Sequence, residues 1–536
     1  MLNKEQKEAV SCNDKRILCL AGAGTGKTYT MLERIHRLIQ DGVSSDCILA
    51  LTFTHAAASE MEDRFKSTSN NDVPKFCTFH SFCYSLIISD KSVRKKVGYE
   101  RIPWIAEEYQ IRKIEEDAKK QTGIKLSDKK IHENSSNLTM KETKDLEILR
   151  SAEDRLMKMK NLITFDHLCY DVCELFKKKD GSIKEYLNKY EYIFVDEFQD
   201  TDKKQYEFVK SFEGAKIFVV GDALQSLYGF RGADSSIIKS LAEDKNWTTI
   251  KLYQNYRSTE PICNYANEIS RYANDSFRIA IESHRYGEEV HNQYMSANSR
   301  YSIYDEDCLK LCKDANSWKG KTAILCRTNA EVKSIQKMYT ENGLTYSLGS
   351  NADIGLHVIE YSNKENLDDS VNWLSSFLSD REYPTFLTKC QEYDVKSQKF
   401  PFDKFMKIFY RNKTISKYEK LMTKVKEELK SNDDMKSKWY NIFEEISVKP
   451  KGFPEGIENN SDLVNNIKCA LSGTGMIEDD SVYIGTVHSV KGLEFDNVIL
   501  VGVGGKSFPL SSEENKNVYY VGITRAKSRL YVLEAE

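Results

Sequence analysis

Short apolar runs recur along this chain, and longer stretches rich in lysine and glutamate separate them. Each run is followed by polar or small residues, a pattern typical of buried parallel strands whose carboxyl ends face a ligand. The first set of runs covers residues 17–20, 48–53, 193–195 and 217–220. A comparable second set covers residues 322–325, 482–485, 498–501 and 530–533. The pattern therefore predicts an α/β protein with two parallel-sheet cores.

Charged sequence of helical character interrupts both cores. Residues 86–188 contain the predicted helices 111–120 and 142–160, and residues 346–477 contain the predicted helices 402–410 and 416–429. Charge runs usually mark a solvated face, although basic and aromatic residues of the first insertion could contact DNA. The expected division is a first core at 1–85 and 189–255, a helical accessory insertion at 86–188, a second core at 256–345 and 478–536, and a reduced helical insertion at 346–477.

A glycine-rich turn lies between the first apolar run and a predicted helix at residues 29–40. Backbone N–H groups at such a helix N-terminus attract phosphate, because the helix dipole and unpaired donors favour negative charge. Lys27 would reach the β- and γ-phosphates of ATP, and Thr28 would hold Mg²⁺. A turn without a ligand is the alternative, and Ala21 replaces the glycine that usually opens the pattern. The predicted phosphate cradle consists of Ala21, Gly22, Ala23, Gly24, Thr25, Gly26, Lys27 and Thr28.

Two carboxylates, Asp196 and Glu197, directly follow the apolar run that ends at residue 195. The carboxyl end of a parallel strand faces the ligand crevice of an α/β sheet. Asp196 is therefore predicted to bind Mg²⁺, and Glu197 is predicted to orient or deprotonate the water that attacks ATP. An acidic turn at a strand end is the alternative, but it becomes weaker once the phosphate loop is considered.

Length, charge and hydropathy narrow the class of protein. A chain of 536 residues suggests roughly three or four domains, because single hydrophobic cores stop growing well below that size. The net charge of −3 gives no global basic signal, so any nucleic-acid contact must use local patches. No apolar stretch approaches the ~20 residues of a membrane span, and the N-terminus is too polar for a signal peptide. The chain is expected to be cytoplasmic, with no membrane partner.

Thirteen cysteines are scattered along the chain without C-x-x-C spacing. The pairs Cys169/Cys173 and Cys308/Cys312 are each separated by three residues. This usage is typical of reduced thiols in the cytosol. A zinc or iron–sulfur site would need four ligands gathered from distant segments, so none is expected.

An ordered series of motifs resembles the UvrD/Rep-like superfamily 1 DNA helicases. Its longest match is the segment at 220–234, which reads VGDALQSLYGFRGAD. The resemblance implies two RecA-like P-loop cores that close on ATP between them. The segments that carry it, besides the phosphate loop and residues 195–201, are 2–10, 52–61, 78–82, 163–168, 220–234, 252–258, 323–330, 485–495 and 520–526.

The resemblance assigns residues of both cores to ATP. It implies that Gln6 recognises adenine, that Tyr256 stacks on adenine and that Glu494 binds the ribose. Gln225 is implied to sense the γ-phosphate or its water. Two arginines are implied to neutralise charge that develops at the γ-phosphate. The implied catalytic set is Glu197, Gln225, Arg257 and Arg525.

Further motifs resemble the DNA-contacting segments of the same helicases. Tyr228 and Phe230 offer flat surfaces on which bases can stack, although core packing is the usual role of an isolated aromatic side chain. His55 and Ala57 stand where the family usually has Asn and Lys. The residues implied to contact DNA are Thr52, Phe53, Thr54, Thr78, His80, Tyr228, Phe230, Arg231, Thr486 and His488.

The resemblance implies an ATP-dependent motor that tracks single-stranded DNA, or tailed or gapped duplex, in the 3′ to 5′ direction. The alternative is an ATPase that senses DNA ends or gaps and licenses a partner nuclease without extensive unwinding. The short segment between Ala330 and Thr486 favours that alternative, because the compact plan is similar to helicase subunits of Gabija-type antiphage systems. A non-enzymatic scaffold is a third reading, which the complete set of ATP-site residues opposes. The sequence contains no nuclease-like carboxylate cluster, so a nuclease would be a partner.

Overall fold

A computed structural model describes most of the chain outside the second insertion. The described residues are 2–68, 72–106, 108–127, 139–227, 229, 232–295, 306–342, 344, 346, 427–428, 430–445, 460, 463 and 482–535. The predicted helix at 402–410 and most of the predicted helix at 416–429 lie outside them. Tyr228, Phe230 and Arg231, three of the predicted DNA contacts, lie outside them as well.

The described residues form thirteen strands, all of which pair in parallel. The strands are β1 Arg16–Ala21, β2 Ile48–Thr52, β3 Lys75–Thr78, β4 Trp104–Ile105, β5 Leu162–Ile163, β6 Tyr192–Val195, β7 Lys216–Gly221, β8 Thr248–Leu252, β9 His291–Met295, β10 Thr322–Cys326, β11 Val482–Thr486, β12 Phe495–Val503 and β13 Ala526–Ala535. All eight predicted strands are confirmed, and β3, β8 and β9 join them in the two large sheets.

Helices of the described residues cover the sheets and build the first insertion. They are Lys4–Ser11, Lys27–Gln40, His55–Thr68, Phe79–Ser89, Lys91–Lys96, Glu108–Thr122, Met140–Met159, Phe165–Lys178, Lys184–Lys189, Lys203–Ser211, Ser235–Glu243, Glu260–Ile269, Glu306–Ala315, Asn329–Glu341, Met435–Glu445 and Glu513–Ile523. None of these described helices combines the length and the apolar character that a bilayer crossing needs.

The first large sheet has the strand order β3-β2-β6-β7-β1-β8. Its strand β1 lies between β7 and β8, and residues 17–21 of that strand are all buried. A parallel strand buried in this way needs helices on both faces of the sheet. Met31 and Ile35 of helix Lys27–Gln40 pack on one face, and the opposite face belongs to a larger apolar cluster. Because the strands are parallel, the carboxyl ends of β1 and β6 meet at one edge.

The second large sheet has the strand order β11-β10-β12-β13-β9. Val332 and Ile335 of helix Asn329–Glu341 pack against one face. The other face shares the larger apolar cluster with the first sheet, so that Leu18 and Leu500 belong to one continuous core. This arrangement confirms the predicted α/β class with two parallel-sheet cores.

The first insertion contains a helix pair and the two-stranded β4–β5 pair. Ala118 of helix Glu108–Thr122 packs against Leu146 and Leu149 of helix Met140–Met159. A Thr139 capping box begins the second helix, which satisfies N–H groups that the first turn leaves unpaired. Both helices predicted for this insertion, at 111–120 and 142–160, are therefore confirmed.

Candidate active site

The phosphate loop begins where β1 ends and finishes at the N-terminus of helix Lys27–Gln40. Gly24 and Gly26 have φ angles of +69° and +80°, a left-handed conformation that glycine adopts without a Cβ clash. Thr25 Oγ1 donates a 2.8 Å hydrogen bond to the carbonyl of Gly22. The loop therefore turns tightly and starts the helix two residues earlier than the predicted position 29.

Two segments hold the phosphate loop from outside. Gln6 Nε2 donates to the Thr25 carbonyl at 3.1 Å. Asn255 Nδ2 donates to the Ala23 carbonyl at 2.7 Å, and the next backbone N–H, that of Tyr256, donates to the Gly24 carbonyl at 2.9 Å. Each of these carbonyl contacts fixes the loop backbone, so the shape of the loop depends on residues far from it in sequence.

The two predicted adenine residues lie at the same edge of the loop. Gln6 closes a capping box with Asn3 at the start of helix Lys4–Ser11. Asn3 Nδ2 also donates to the hydroxyl of Tyr256 at 3.0 Å. The Tyr256 ring is 51% exposed and is therefore accessible to a flat ligand. Adenine recognition by Gln6 and Tyr256 remains a prediction that this arrangement allows.

Asp196 follows β6 directly and reaches the start of the phosphate-loop helix. Thr28 Oγ1 donates to Asp196 Oδ2 at 2.9 Å. Burial, followed by the neighbouring charge of Glu197, raises the pKa of Asp196 to about 6. A hydroxyl and a buried carboxylate are the hard oxygen ligands that Mg²⁺ prefers. Thr28 and Asp196 therefore fit the predicted metal site.

Glu197 occupies a left-handed backbone conformation with φ +50°, which is rare for a residue other than glycine. Its side chain lies 3.9 Å from Lys27 Nζ and accepts a short hydrogen bond from Gln199 Nε2. Burial alone would raise the pKa of Glu197, but Lys27 and Lys491 outweigh burial and lower it to about 2. Glu197 is therefore ionised and close to the phosphate cradle.

A hydrogen-bonded chain of polar side chains connects Glu197 with Gln225. Gln199 Oε1 accepts a hydrogen bond from the Asp222 N–H at 3.0 Å. Gln225 Nε2 then donates to Asp222 Oδ2 at 2.8 Å. Gln199, Asp222 and Gln225 are all buried. These residues therefore form a buried polar connection between Glu197 and Gln225.

Arg525 reaches this chain from the second core. Its Nη2 donates to Gln225 Oε1 at 3.2 Å, and its other nitrogens donate to the carbonyls of Val521 and Leu493. The side chain is 2% exposed. Burial, and after it the charge of Arg257, lowers the pKa of Arg525 to about 9. Arg525 therefore stays cationic at neutral pH and faces the first core.

Arg257, the other predicted phosphate-facing arginine, is paired with Glu494. Arg257 Nε donates to Glu494 Oε2 at 2.7 Å, and Lys527 Nζ lies 2.7 Å from Glu494 Oε1. Burial opposes ionisation of Glu494, but Lys527 and Arg257 outweigh it and lower its pKa to about 2. Glu494, which is predicted to bind the ribose of ATP, thus pairs with Arg257 and Lys527 in this structure. Its contact with ribose remains a prediction.

A buried ion pair that the sequence did not suggest also joins the two cores. Lys491 Nζ forms a short contact with Asp200 Oδ2 and donates to the Gln225 carbonyl at 3.0 Å. The two side chains are only 9% and 1% exposed. Asp200 and Lys491 both lie inside recognised motif segments, but only the fold shows that they meet.

The predicted DNA-contacting threonines lie at the carboxyl ends of β2, β3 and β11. Thr54, Thr78 and Thr486 each accept a hydrogen bond from the backbone N–H three residues later, at 3.2, 3.1 and 3.3 Å. Thr52 and Thr78 are each 1% exposed. The Thr78 hydroxyl caps the helix that follows it, whereas the buried Thr52 hydroxyl has no hydrogen-bond partner among the described residues. Three further predicted residues are partly exposed at the same ends, namely Phe53, His80 and His488. Their DNA contacts remain predictions.

Two parallel α/β cores that meet at a phosphate loop define the class as a two-core P-loop enzyme. The UvrD/REP helicase N-terminal domain family matches residues 2–246, and the UvrD-like helicase C-terminal domain family matches residues 250–354 and 347–536. The chain belongs to the UvrD-like helicases, and it is an ATP-dependent DNA helicase.

Individual relatives agree with the family assignment. The chain is similar to the ATP-dependent DNA helicase PcrA of Staphylococcus epidermidis, with 27% identity over 618 residues. The match covers 100% of this chain and 83% of the relative. PcrA of Staphylococcus aureus is similar to the same extent, with 27% identity and the same coverage.

Proposed function

We propose that the chain uses ATP hydrolysis between its cores to move along single-stranded DNA. The observation that carries the proposal is the hydrogen bond from Arg525 of the second core to Gln225 of the first core, at 3.2 Å. Gln225 is connected in turn to Glu197 through Gln199 and Asp222. A contact between the cores thus depends on groups beside the phosphate cradle, and this supports coupling of ATP state to core position.

Lys27 and Glu197 would change partners during the proposed cycle. With ATP in the cradle, the Lys27 ammonium would move from Glu197 to the β- and γ-phosphates. Glu197 would then lose a cation that lowers its pKa, and it would become a better acceptor for the proton of the attacking water. The same exchange would therefore bind substrate and activate the base.

Arg257 and Arg525 would approach the γ-phosphate when the cores close. Fixed cations in a water-excluded cleft stabilise the charge that develops during phosphoryl transfer. Thr28 and Asp196 would hold Mg²⁺, which supplies positive charge to the phosphates when bound. Hydrolysis would remove the group that attracts both arginines, and the cores would reopen.

The proposed DNA path follows the carboxyl ends of β2, β3 and β11. The threonine turns there place Phe53, His80 and His488 at partly exposed positions. An aromatic or imidazole ring can stack on a base, and the flanking backbone N–H groups can bind phosphates. Movement in the 3′ to 5′ direction is proposed from resemblance to the UvrD/Rep-like helicases.

Hydrolysis of ATP with and without single-stranded DNA tests this proposal. We expect strong stimulation by DNA in the unmodified chain and its loss in Lys27→Ala and in Glu197→Gln. Lys27→Ala should weaken ATP binding, whereas Glu197→Gln should retain ATP and fail in the chemical step. Hydrolysis that is indifferent to DNA would contradict the proposed motor.

Duplexes with a single-stranded tail at one end test direction. A 3′-tailed duplex should be unwound in an ATP-dependent reaction, and a 5′-tailed duplex of the same sequence should not. Glu197→Gln is the matched control, because it should bind the same DNA without unwinding it. Preference for the 5′ tail would reverse the proposed direction.

A DNA-sensing ATPase that regulates a partner nuclease is the second candidate. The observation in its favour is length, because the chain covers 83% of its PcrA relatives and is short between Ala330 and Thr486. A sensor of DNA ends or gaps would hydrolyse ATP on such DNA and leave tailed duplexes intact. Robust unwinding by the isolated chain would therefore count against this candidate and its phage-defence role.

A further inference from the structure

Three buried cysteines meet at the base of the first insertion. Cys83 lies on helix Phe79–Ser89, and Cys169 and Cys173 lie on helix Phe165–Lys178. Their exposures are 1%, 6% and 3%. Cys169 Sγ is 3.9 Å from Cys83 Sγ and 3.8 Å from Cys173 Sγ, and all three sulfur atoms lie within 4.8 Å of one another. Among the described residues, no other His, Cys, Asp or Glu group converges in this way.

The sulfur spacing matches a tetrahedral metal site. Zinc–thiolate bonds are about 2.3 Å long, and the edge of a tetrahedron with that radius is about 3.8 Å. The two measured edges at Cys169, 3.8 and 3.9 Å, agree with this value. A disulfide would instead require two sulfur atoms at roughly 2.05 Å. The three thiols are therefore already arranged around a point that a small thiophilic cation can occupy.

We propose that Cys83, Cys169 and Cys173 bind a divalent cation of the zinc class through their thiolates. The cation would compensate the charge of three buried thiolates, which could not otherwise be ionised in an apolar core. Binding would release the thiol protons to solvent, because thiolates are the ligating form. Soft sulfur ligands also distinguish this site from the oxygen ligands Thr28 and Asp196, which suit Mg²⁺.

His80 would have to move to become the fourth ligand, because its ring nitrogens do not lie within 4.8 Å of all three sulfur atoms. It precedes Cys83 by three residues on helix Phe79–Ser89, and that spacing places both side chains on one helix face.

The proposed site would fix the first insertion to the first core. Cys83 and Cys169 are separated by 86 positions, and the intervening chain includes the helix pair of the insertion. A metal link that closes such a long loop lowers the entropy of the unfolded chain. The link would also connect the Thr78–His80 turn, a predicted DNA contact, to the return helix of the insertion.

Ordinary burial of neutral thiols is the competing explanation. Cys308 and Cys312 have the same spacing on helix Glu306–Ala315 and are both 0% exposed. That pair has no third ligand-type group arranged around it among the described residues. It therefore provides a matched control for a buried helical cysteine pair without the proposed site.

Elemental analysis and cobalt substitution of the full chain test the proposal. The chain would be purified with a phosphine reductant and without chelator, and zinc would be measured per chain. We expect about one equivalent of zinc. Exchange for Co²⁺ should give a thiolate-to-cobalt charge-transfer band and tetrahedral visible absorption, neither of which a Co²⁺ ion in an oxygen-ligated Mg²⁺ site gives.

Single substitutions locate the metal. Cys83→Ser should lower the metal affinity by more than the 10- to 100-fold that loss of an outer-shell partner typically costs. Cys308→Ser should leave the cobalt spectrum unchanged. A folded, reduced wild-type chain that retains no zinc and gives no cobalt–thiolate band would overturn the proposal, even if Cys83→Ser fails to fold. An equal loss of metal affinity in Cys308→Ser would also overturn the proposal. So would a mass spectrum that shows a disulfide at Cys169.

Discussion

Asn255 shows how much of the ATP site depends on one buried amide. Its Nδ2 donates to the Ala23 carbonyl, and its Oδ1 accepts from the N–H groups of Arg257 and Ser258, each at 2.7 Å. The side chain is 1% exposed, so water cannot replace a lost partner. Asn255 thus orients both the phosphate loop and the backbone of Arg257 and Ser258.

Replacement of Asn255 by Asp should weaken ATP binding. The carboxylate would keep both accepted hydrogen bonds, but one oxygen would face the Ala23 carbonyl and add negative charge near the phosphates. Loss of a buried donor costs about 1–3 kcal/mol, so we expect KM for ATP to rise roughly 5- to 150-fold. Steady-state ATPase assays measure the change.

Gln254→Glu is the control for Asn255→Asp. It introduces the same charge one residue earlier, where the Gln254 side chain donates to backbone carbonyls of Asn255 and Glu282 and not to the loop. Its KM for ATP should change much less. Equal effects of the two variants would mean that charge alone, and not the contact with Ala23, determines ATP binding.

At the scale of elements, the phosphate loop has no room for a side chain at Gly24. A Cβ on Gly24 would lie 2.6 Å from Asn255 Nδ2 and 2.9 Å from Arg257 Cβ, and the φ angle of Gly24 is +69°. Gly42, which follows helix Lys27–Gln40, has φ +94° but has no atom within 4 Å of its Cβ position. A side chain at either glycine would be strained by the positive φ angle, but only a side chain at Gly24 would also clash with neighbouring atoms. Comparing the two positions therefore distinguishes the effect of backbone strain from the effect of crowding.

Gly24→Ala should abolish measurable ATP-dependent turnover, whereas Gly42→Ala should retain it. Both variants carry left-handed strain of roughly 1–2 kcal/mol per residue, but only Gly24→Ala displaces the residues that hold the loop. Nucleotide binding by fluorescence titration and thermal unfolding would be measured for both. A loss of ATP binding in Gly42→Ala would show that strain at either end of the helix is sufficient.

Strands with continuous apolar sequence were predictable, and strands with mixed sequence were not. β1 and β6 are apolar runs buried in a parallel sheet, and both were predicted. β8 alternates buried and half-buried positions at the sheet edge, and β9 is the polar segment HNQYM. Such edge strands bury less apolar surface, so local hydrophobicity identifies them poorly even though backbone pairing holds them in the sheet.

At the scale of the whole molecule, two ion pairs between the cores differ mainly in burial. Lys491 and Asp200 are 9% and 1% exposed, whereas Lys239 and Glu513 are 23% and 54% exposed. Removal of one partner from a buried pair costs about 3–5 kcal/mol, because the other charge stays buried and uncompensated. An exposed pair contributes about 0–1 kcal/mol.

Lys491→Met should therefore reduce DNA-stimulated ATP hydrolysis by at least tenfold, and Lys239→Met should change it by about twofold or less. Methionine preserves the apolar stem of either lysine. A Lys491→Met/Asp200→Asn double variant should recover part of the lost activity, because it removes the uncompensated carboxylate. Equal effects of the two lysine variants would show that the buried pair has no special role in core closure.

The sequence by itself determined the α/β class, the phosphate loop and the adjacent carboxylates of this helicase. These features are local, because a strand, a glycine-rich turn and a helix start need only neighbouring residues with suitable conformational preferences. Thr28 could likewise be assigned from its place at the end of the phosphate loop, and Asp196 from its position at the carboxyl end of β6. Their hydrogen bond agrees with the predicted shared site.

Only the tertiary structure decided which distant side chains meet. Arg525 and Gln225 are 300 positions apart, Asn255 and Ala23 are 232 apart, and Cys83 and Cys169 are 86 apart. Such contacts depend on strand order, on the closure of two cores and on helix packing, none of which a local pattern encodes. The sequence therefore identified the chemical groups of the site, and the fold determined which distant side chains they contact.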